Sequence, residues 1–159
     1  MSLPPVLYAE DEANDVFLME RAFAKAGITN PLQTVIDGAA AIRYLQGAGE
    51  FADRKHFPLP GLLLLDLNLP RRSGLEVLKW VREQPSLRSL PVVILTSSSQ
   101  DRDIGAAYAL GANGYLVKPA SSEKLIDMVT TLRDACLAPD ANIRGWLDIK
   151  GNVPPPVGR

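Results

Sequence analysis

The sequence predicts an α/β fold, a doubly wound five-stranded parallel sheet, on three observations. Short β-branched or leucine-rich runs recur five times, a stretch of helical period follows each, and the runs are apolar at consecutive positions rather than alternating. Consecutive apolar residues suit strands covered on both faces, as in a parallel sheet with helices above and below it. Strict alternation of strand and helix then implies right-handed crossovers.

The first run is Val6-Leu7-Tyr8. The helix after it is expected to take Asn14 as N-cap, to carry Val16, Phe17, Met19, Ala22, Phe23 and Ala26, and to stop at Gly27, a good residue just past a helix end. Leu32 to Ile36 forms the second run, and its helix extends from about Gly38 to Gln46, closed by Gly47. Gly47 to Gly61 (residues 47–61), with His56, Pro58 and Pro60, is long for a connection and reads as a surface insertion. The third run is Leu62 to Leu65. Its helix follows Ser73-Gly74, shows Leu75, Leu78 and Val81 with Val77 and Trp80 one position round, and is ended by Pro85. Val92 to Leu95 leads to a helix from about Gln100 to Leu110, closing at Gly111. Tyr115-Leu116-Val117 leads to a last helix from about Ser122 to Cys136, with Leu125, Val129, Leu132 and Cys136 along one face and Ser121 or Ser122 at its start. Pro139 marks its end.

With 159 residues, the chain is one domain, or one domain and a tail. A chain of this length buries roughly two-thirds of its unfolded surface and needs no staple, and the lone Cys136 has no disulfide partner. A net charge of −1 argues against a broad nucleic-acid-binding face. Charge is uneven, however: residues 1–20 hold Glu10, Asp11, Glu12, Asp15 and Glu20 and no base, whereas 71–90 hold Arg71, Arg72, Lys79, Arg82 and Arg88 against two acids. No apolar run approaches the roughly 20 residues of a membrane-spanning helix. The N-terminus lacks a basic region followed by an apolar stretch, and a free cysteine suits a reducing compartment, so a cytoplasmic protein without a membrane partner is expected. From about Leu137 the composition shifts to proline and glycine, with a small apolar knot at Trp146, Leu147 and Ile149 and the stretch Pro154-Pro155-Pro156. This tail either binds a partner or folds back on the domain.

A doubly wound sheet puts its site at the C-terminal ends of its strands. There the sequence carries Glu10-Asp11 after the first run, Asp66 after the third, Thr96-Ser97 after the fourth and Lys118-Pro119 after the fifth. Each has a plainer reading: the acids favour a helix N-terminus, Asp66 suits a turn, Thr96 to Ser99 is a turn cluster, and Lys118 is a loop lysine. Their coincidence at one sheet edge favours a site. Three converging carboxylates repel one another and persist only if something positive offsets them, either Lys118 or a divalent cation. Oxygen ligands without a His or Cys cluster suit Mg²⁺ and not zinc, since His56 and Cys136 are far apart in sequence. An Asp carboxylate can attack phosphorus and form an aspartyl phosphate, and Asp66 fits that role. Lys118 and the Thr96 hydroxyl are the donors available to hold the phosphoryl group.

The order Glu10-Asp11, Asp66, Thr96, Lys118-Pro119 resembles the receiver domain of bacterial two-component response regulators, over about residues 4–136. The resemblance implies a flavodoxin-like sheet of strand order 2-1-3-4-5. It implies Asp66 as phosphoacceptor, and Mg²⁺ ligated by the side chains of Asp11 and Asp66 and the backbone carbonyl of Asn68, with Glu10 acting mainly through a bound water. Thr96 would bond the phosphoryl group and move inward with it while Tyr115 changes rotamer. Lys118 would pair with the acyl phosphate, and its bond to Pro119 would be cis. The stretch Glu10 to Val16, the 47–61 insertion, the run Leu65 to Gly74 and the short tail are similar to single-domain regulators that partner bacterial phytochrome histidine kinases.

These features point to a phosphorylation-dependent switch, fed by a sensor histidine kinase, which the narrower resemblance makes one of bacteriophytochrome type, and signalling to a downstream protein. Residues 4–136 are the expected receiver and 137–159 a short extension without an output domain, so the signal leaves through the fourth helix, fifth strand and fifth helix. No enzymatic turnover is expected beyond self-catalysed phosphotransfer and autodephosphorylation. Ile104, Tyr108 and Leu125 leave room for a symmetric homodimer. Arg71 and Arg72 either tune phosphoryl lifetime and docking or solvate the surface, and Ser97 either narrows the passage to Asp66 or adds a donor. The alternatives are a phosphate-independent receiver scaffold and an Asp-nucleophile phosphohydrolase. The second would want a carboxylate where this chain has Asn68.

Overall fold

A computed structural model describes residues 3–137 and 149–156. Five strands, β1 (Val6–Ala9), β2 (Leu32–Val35), β3 (Leu62–Leu65), β4 (Val92–Thr96) and β5 (Gly114–Val117), form one parallel sheet of order β2-β1-β3-β4-β5. Five helices alternate with them: α1 (Ala13–Lys25), α2 (Gly38–Gln46), α3 (Gly74–Glu83), α4 (Asp101–Ala109) and α5 (Ser122–Leu132). The central strands β1, β3 and β4 are buried along their whole length, as consecutive apolar residues require. β2 lies at the edge and is half-buried, and Ile36, expected within it, falls outside the strand and is exposed.

Two apolar layers sandwich the sheet. Leu7, Leu63, Leu65 and Ile94 pack with Val77, Leu78 and Val81 of α3 and with Tyr44 and Leu45 of α2 on one side. On the other side Tyr8, Leu64 and Leu95 pack with Met19 and Phe23 of α1 and with Met128, Val129 and Leu132 of α5.

Helix starts follow the polar residue that meets the first turn. Asp37, Ser73 and Ser121 each accept a hydrogen bond from a backbone N–H three residues on. Helix α1 differs from expectation, because Glu12, not Asn14, is its N-cap. The Glu10 carboxylate takes the Glu12 N–H at 3.1 Å, and the first helical bond runs from Val16 N–H to the Glu12 carbonyl, so the helix begins two residues early. Helix α5 ends at Leu132 and continues as a single π turn, Arg133–Leu137, so Cys136 lies beyond the α-helix. The expected stop at Pro139 lies outside the described residues.

The 47–61 insertion is not merely solvated. It contains a 3-10 turn, Gly49–Phe51, and stacks Phe51 and Phe57 against Tyr44, while Arg54 donates to the Tyr44 and Leu45 carbonyls at the end of α2.

Residues 149–156 fold back. Ile149 is buried against α5, and Asn152 bridges Leu116 in antiparallel sense. The Asn152 side-chain carbonyl accepts the Tyr115 N–H at 2.9 Å, and the Val153 N–H donates to the Tyr115 carbonyl at 2.8 Å. Trp146 and Leu147 lie outside the described residues. Of the positions read as leaving room for a homodimer, Ile104 and Leu125 are buried in the core, and the Tyr108 hydroxyl donates to the Val153 carbonyl.

Candidate functional site

The strand register builds the site. Ala9 of β1 is level with Leu65 of β3, and Thr96 of β4 is level with Val117 of β5. Chain continuation by one residue therefore brings Glu10, Asp66 and Lys118 to the same sheet edge as Thr96. Backbone bonds fix their places: the Glu10 N–H donates to the Val35 carbonyl, that of Asp66 to the Ala9 carbonyl, and that of Lys118 to the Thr96 carbonyl.

Glu10, Asp11 and Asp66 bring carboxylate oxygens within 4.8 Å of one another. Glu10 and Asp66 are buried and Asp11 is exposed. Such a set of hard oxygen donors, open on one side, suits a small divalent cation such as Mg²⁺ or Mn²⁺ and offers no soft ligand for zinc. The Asn68 N–H donates to Asp66 Oδ1 at 3.1 Å, which turns the chain after Asp66 and leaves Asn68 itself exposed.

Lys118 supplies the countercharge. Its Nζ lies 2.6 Å from Glu10 Oε1, 2.9 Å from Asp15 Oδ2 and 3.0 Å from Asp66 Oδ2. Burial pushes the Glu10 carboxyl up, to about 7, with the Asp66 charge adding to the rise and the Lys118 bond opposing it. Asp66 goes the other way. Burial would raise it, but the bond from Lys118 and the Asn68 N–H outweigh burial and hold its carboxyl below the usual range. For Lys118, burial disfavours the charge, yet its bonds to Glu10, Asp15 and Asp66 prevail and the ammonium is held above its ordinary range. Asp15 was not among the residues that strand-end reasoning singled out. It sits in the first turn of α1, and nothing in local sequence reveals that it meets a lysine 103 positions away.

Thr96 is fully buried, and its Oγ1 accepts the Ser98 N–H at 3.4 Å. Tyr115 is also fully buried, and its hydroxyl donates to the Ser98 carbonyl at 2.9 Å. The same short loop thus touches both residues. Ser97 is exposed at the rim. The Lys118–Pro119 peptide is trans, against the expectation of cis, since there are no cis bonds among the described residues. A trans bond is the intrinsically favoured form even before proline.

Two glycines let the acceptor loop approach its neighbours. A Cβ on Gly74 would stand 2.2 Å from the Asp66 carbonyl oxygen, and one on Gly38 would stand 2.0 Å from the Arg72 carbonyl oxygen. Arg71 holds a left-handed backbone (φ 67°), and its guanidinium turns to Asp37 at 3.7 Å rather than to the carboxylate cluster. Beside the cluster lies a cleft of about 250 Å³ lined by Glu10, Asp11, Phe17, Glu20 and Ile36 among others, with Phe17 and Ile36 exposed.

Comparison with known proteins matches residues 6–130 to the response regulator receiver domain. The chain is 39% identical over 130 residues to response regulator Rcp1 of Synechocystis sp., covering 80% of this chain and 86% of that one. Among solved structures, the phosphorylated cyanobacterial phytochrome response regulator RcpA superposes with a TM-score of 0.79 at 34% identity, over 86% of this chain and 96% of that one. The Mn²⁺-bound form of Rcp1 superposes with a TM-score of 0.76 at 36% identity, with the same shares of each chain covered.

Proposed function

The chain belongs to the response regulator receiver domain family, and from that premise we propose that Asp66 accepts a phosphoryl group from the phosphohistidine of a sensor histidine kinase. One observation carries this reading: the buried Asp66 carboxylate is 3.0 Å from Lys118 Nζ and within 4.8 Å of two further carboxylates, at the sheet edge where such folds place their chemistry.

In the transfer, an Asp66 carboxylate oxygen attacks phosphorus as the bond from phosphorus to the donor imidazole nitrogen breaks. The imidazole nitrogen keeps the electron pair and later takes a proton from solvent. Asp66 enters the reaction ionised, because Lys118 and the Asn68 N–H hold its carboxyl low. Lys118 offers an ammonium donor to the arriving oxygens, and Thr96 a hydroxyl. A divalent cation, Mg²⁺ on this reading, held by the Asp11 and Asp66 side chains and the Asn68 carbonyl, with Glu10 acting mainly through a bound water, would screen the negative charge of those oxygens.

Phosphorylation then acts as a population shift. A bond from Thr96 to the phosphoryl group draws on the hydroxyl that now receives the Ser98 N–H, and the Tyr115 hydroxyl rests on the carbonyl of that same residue. Movement of one residue therefore releases the other, and the change reaches the surface of α4, β5 and α5. We read residues 4–136 as the receiver and 137–159 as an extension, in a cytoplasmic protein that signals rather than turns over a substrate. The likeness to RcpA, a cyanobacterial phytochrome response regulator, supports a kinase of the phytochrome type, and the exposed Phe17 and Ile36 beside the acidic cleft offer it apolar surface.

Intact-mass measurement after incubation with acetyl phosphate, with and without Mg²⁺, tests the reading. Wild type should gain one phosphoryl mass in Mg²⁺ alone, and Asp66→Asn none. Absence of the adduct from wild type, or its persistence in Asp66→Asn, overturns it.

A further inference from the structure

An ammonium has three N–H donors, and Lys118 spends all three, on Glu10, Asp15 and Asp66. The three acceptors are not equivalent. Glu10 is fully buried and pinned, taking the Tyr8 hydroxyl on one oxygen at 3.2 Å and the Glu12 N–H on the other at 3.1 Å. Asp66 becomes the phosphoryl carrier. Asp15 is a third exposed, stands on the first turn of α1, and is the one acceptor that lies outside both the carboxylate cluster and the acceptor loop.

From this geometry we infer that Asp15 is a positioning residue that competes with the phosphoryl group for Lys118. In the resting protein its carboxylate tethers the ammonium within reach of Asp66. When phosphoryl oxygens arrive, each must draw a Lys118 donor away from a carboxylate, and Asp15 is the partner free to yield. Its negative charge, in contact with the same ammonium, also opposes the arrival of an anion. Asp15 thus sets how tightly the acceptor site holds a phosphoryl group, without touching the reacting atoms. The inference rests on Asp66 being the phosphoacceptor.

The test titrates the full chain with beryllofluoride, a tetrahedral anion that mimics a phosphoryl group on a carboxylate, in saturating Mg²⁺ and followed by ¹⁹F NMR. Wild type, Asp15→Asn, Asp15→Ala, Asp15→Glu and Asp66→Asn are compared. Removing one like charge at this range should tighten binding roughly 3- to 10-fold in Asp15→Asn and Asp15→Ala. Asp15→Glu, which restores the charge and the acceptor, should stay near wild type. A merely structural role for Asp15 would leave the affinity unchanged or weaken it in step with thermal stability. Unchanged or weaker binding in Asp15→Asn, with normal Asp66-dependent binding in wild type, overturns the competition and leaves the phosphoacceptor reading intact. Failure of wild type to bind at all, or equal binding by Asp66→Asn, removes the phosphoacceptor reading and this inference with it.

Discussion

Lys118 Nζ lies closer to Glu10 Oε1, at 2.6 Å, than to Asp66 Oδ2, at 3.0 Å. The resting ammonium therefore leans on the residue furthest from solvent, and Glu10 still titrates near neutrality because burial outweighs that contact.

A pH dependence follows for the metal-free protein. Glu10 has its carboxyl raised from 4.5 to about 7, so between those values the folded state binds a proton that the unfolded state has lost. Stability then falls as pH rises from about 4.5 to about 7. A cation on the cluster favours the ionised carboxylate and removes this slope. Urea titrations at pH 5, 6, 7 and 8, in chelator and in Mg²⁺, should show the decline in chelator only.

Tyr115 gives a second prediction. Tyr115→Phe loses the hydroxyl that holds the Ser98 carbonyl and should cost about 1 kcal/mol, whereas Tyr115→Ala empties a fully buried site and should cost about 3 to 5 kcal/mol. Urea midpoints separate the two effects. Equal losses would mean that the hydroxyl, not the ring, carries the contribution.

Gly74→Ala should be among the most damaging single-methyl changes in the chain. The new Cβ meets backbone at 2.2 Å, so either α3 or the Asp66 carbonyl must move. We expect a loss of more than about 2 kcal/mol and weakened Mg²⁺ binding. Gly27→Ala is the control, since its Cβ meets nothing within 4 Å and only the φ of +70° resists it, at about 1 to 2 kcal/mol. Thermal melts and a Mg²⁺ titration of both variants decide the matter.

The strap gives a fourth. Asn152→Ala removes the acceptor of the Tyr115 N–H and should speed hydrogen exchange at that amide at least tenfold, with a stability cost of about 1 kcal/mol. Unchanged exchange would mean that residues 149–156 do not hold this edge in solution.

Much of the fold was legible because a parallel sheet writes itself plainly. Leu62 to Leu65 reads as a strand covered on both faces and is one, and Gly27, Gly47 and Gly111 sit with positive φ after the helices they were expected to end. The strand ends Glu10, Asp66 and Lys118 follow from that alternation, and the structure brings them into contact. What local pattern could not carry was tertiary. The start of α1 depends on where the Glu10 side chain sends its second oxygen. Asp15 looks like an ordinary first-turn acid until the fold brings Lys118, just past β5, within reach of α1. Asn152 looks like a turn residue, and its place on Tyr115 comes from a segment that returns after 37 positions. Ile104, which the sequence left available to a second copy, is turned inward by packing.

The strap has one more effect, on how the molecule meets its own kind. An open parallel sheet ends in a strand whose unpaired N–H and C=O groups invite another chain to add on, and such edges seed intermolecular sheets. At β5 the side chain of Asn152 and the backbone of Val153 occupy the Tyr115 groups that would otherwise serve as that template. Two residues on a short return are enough to interrupt the ladder, and the prolines at 154–156 that follow lack the N–H needed to extend it. Residues 149–156 therefore leave fewer open ladder groups on β5 for another chain to pair with.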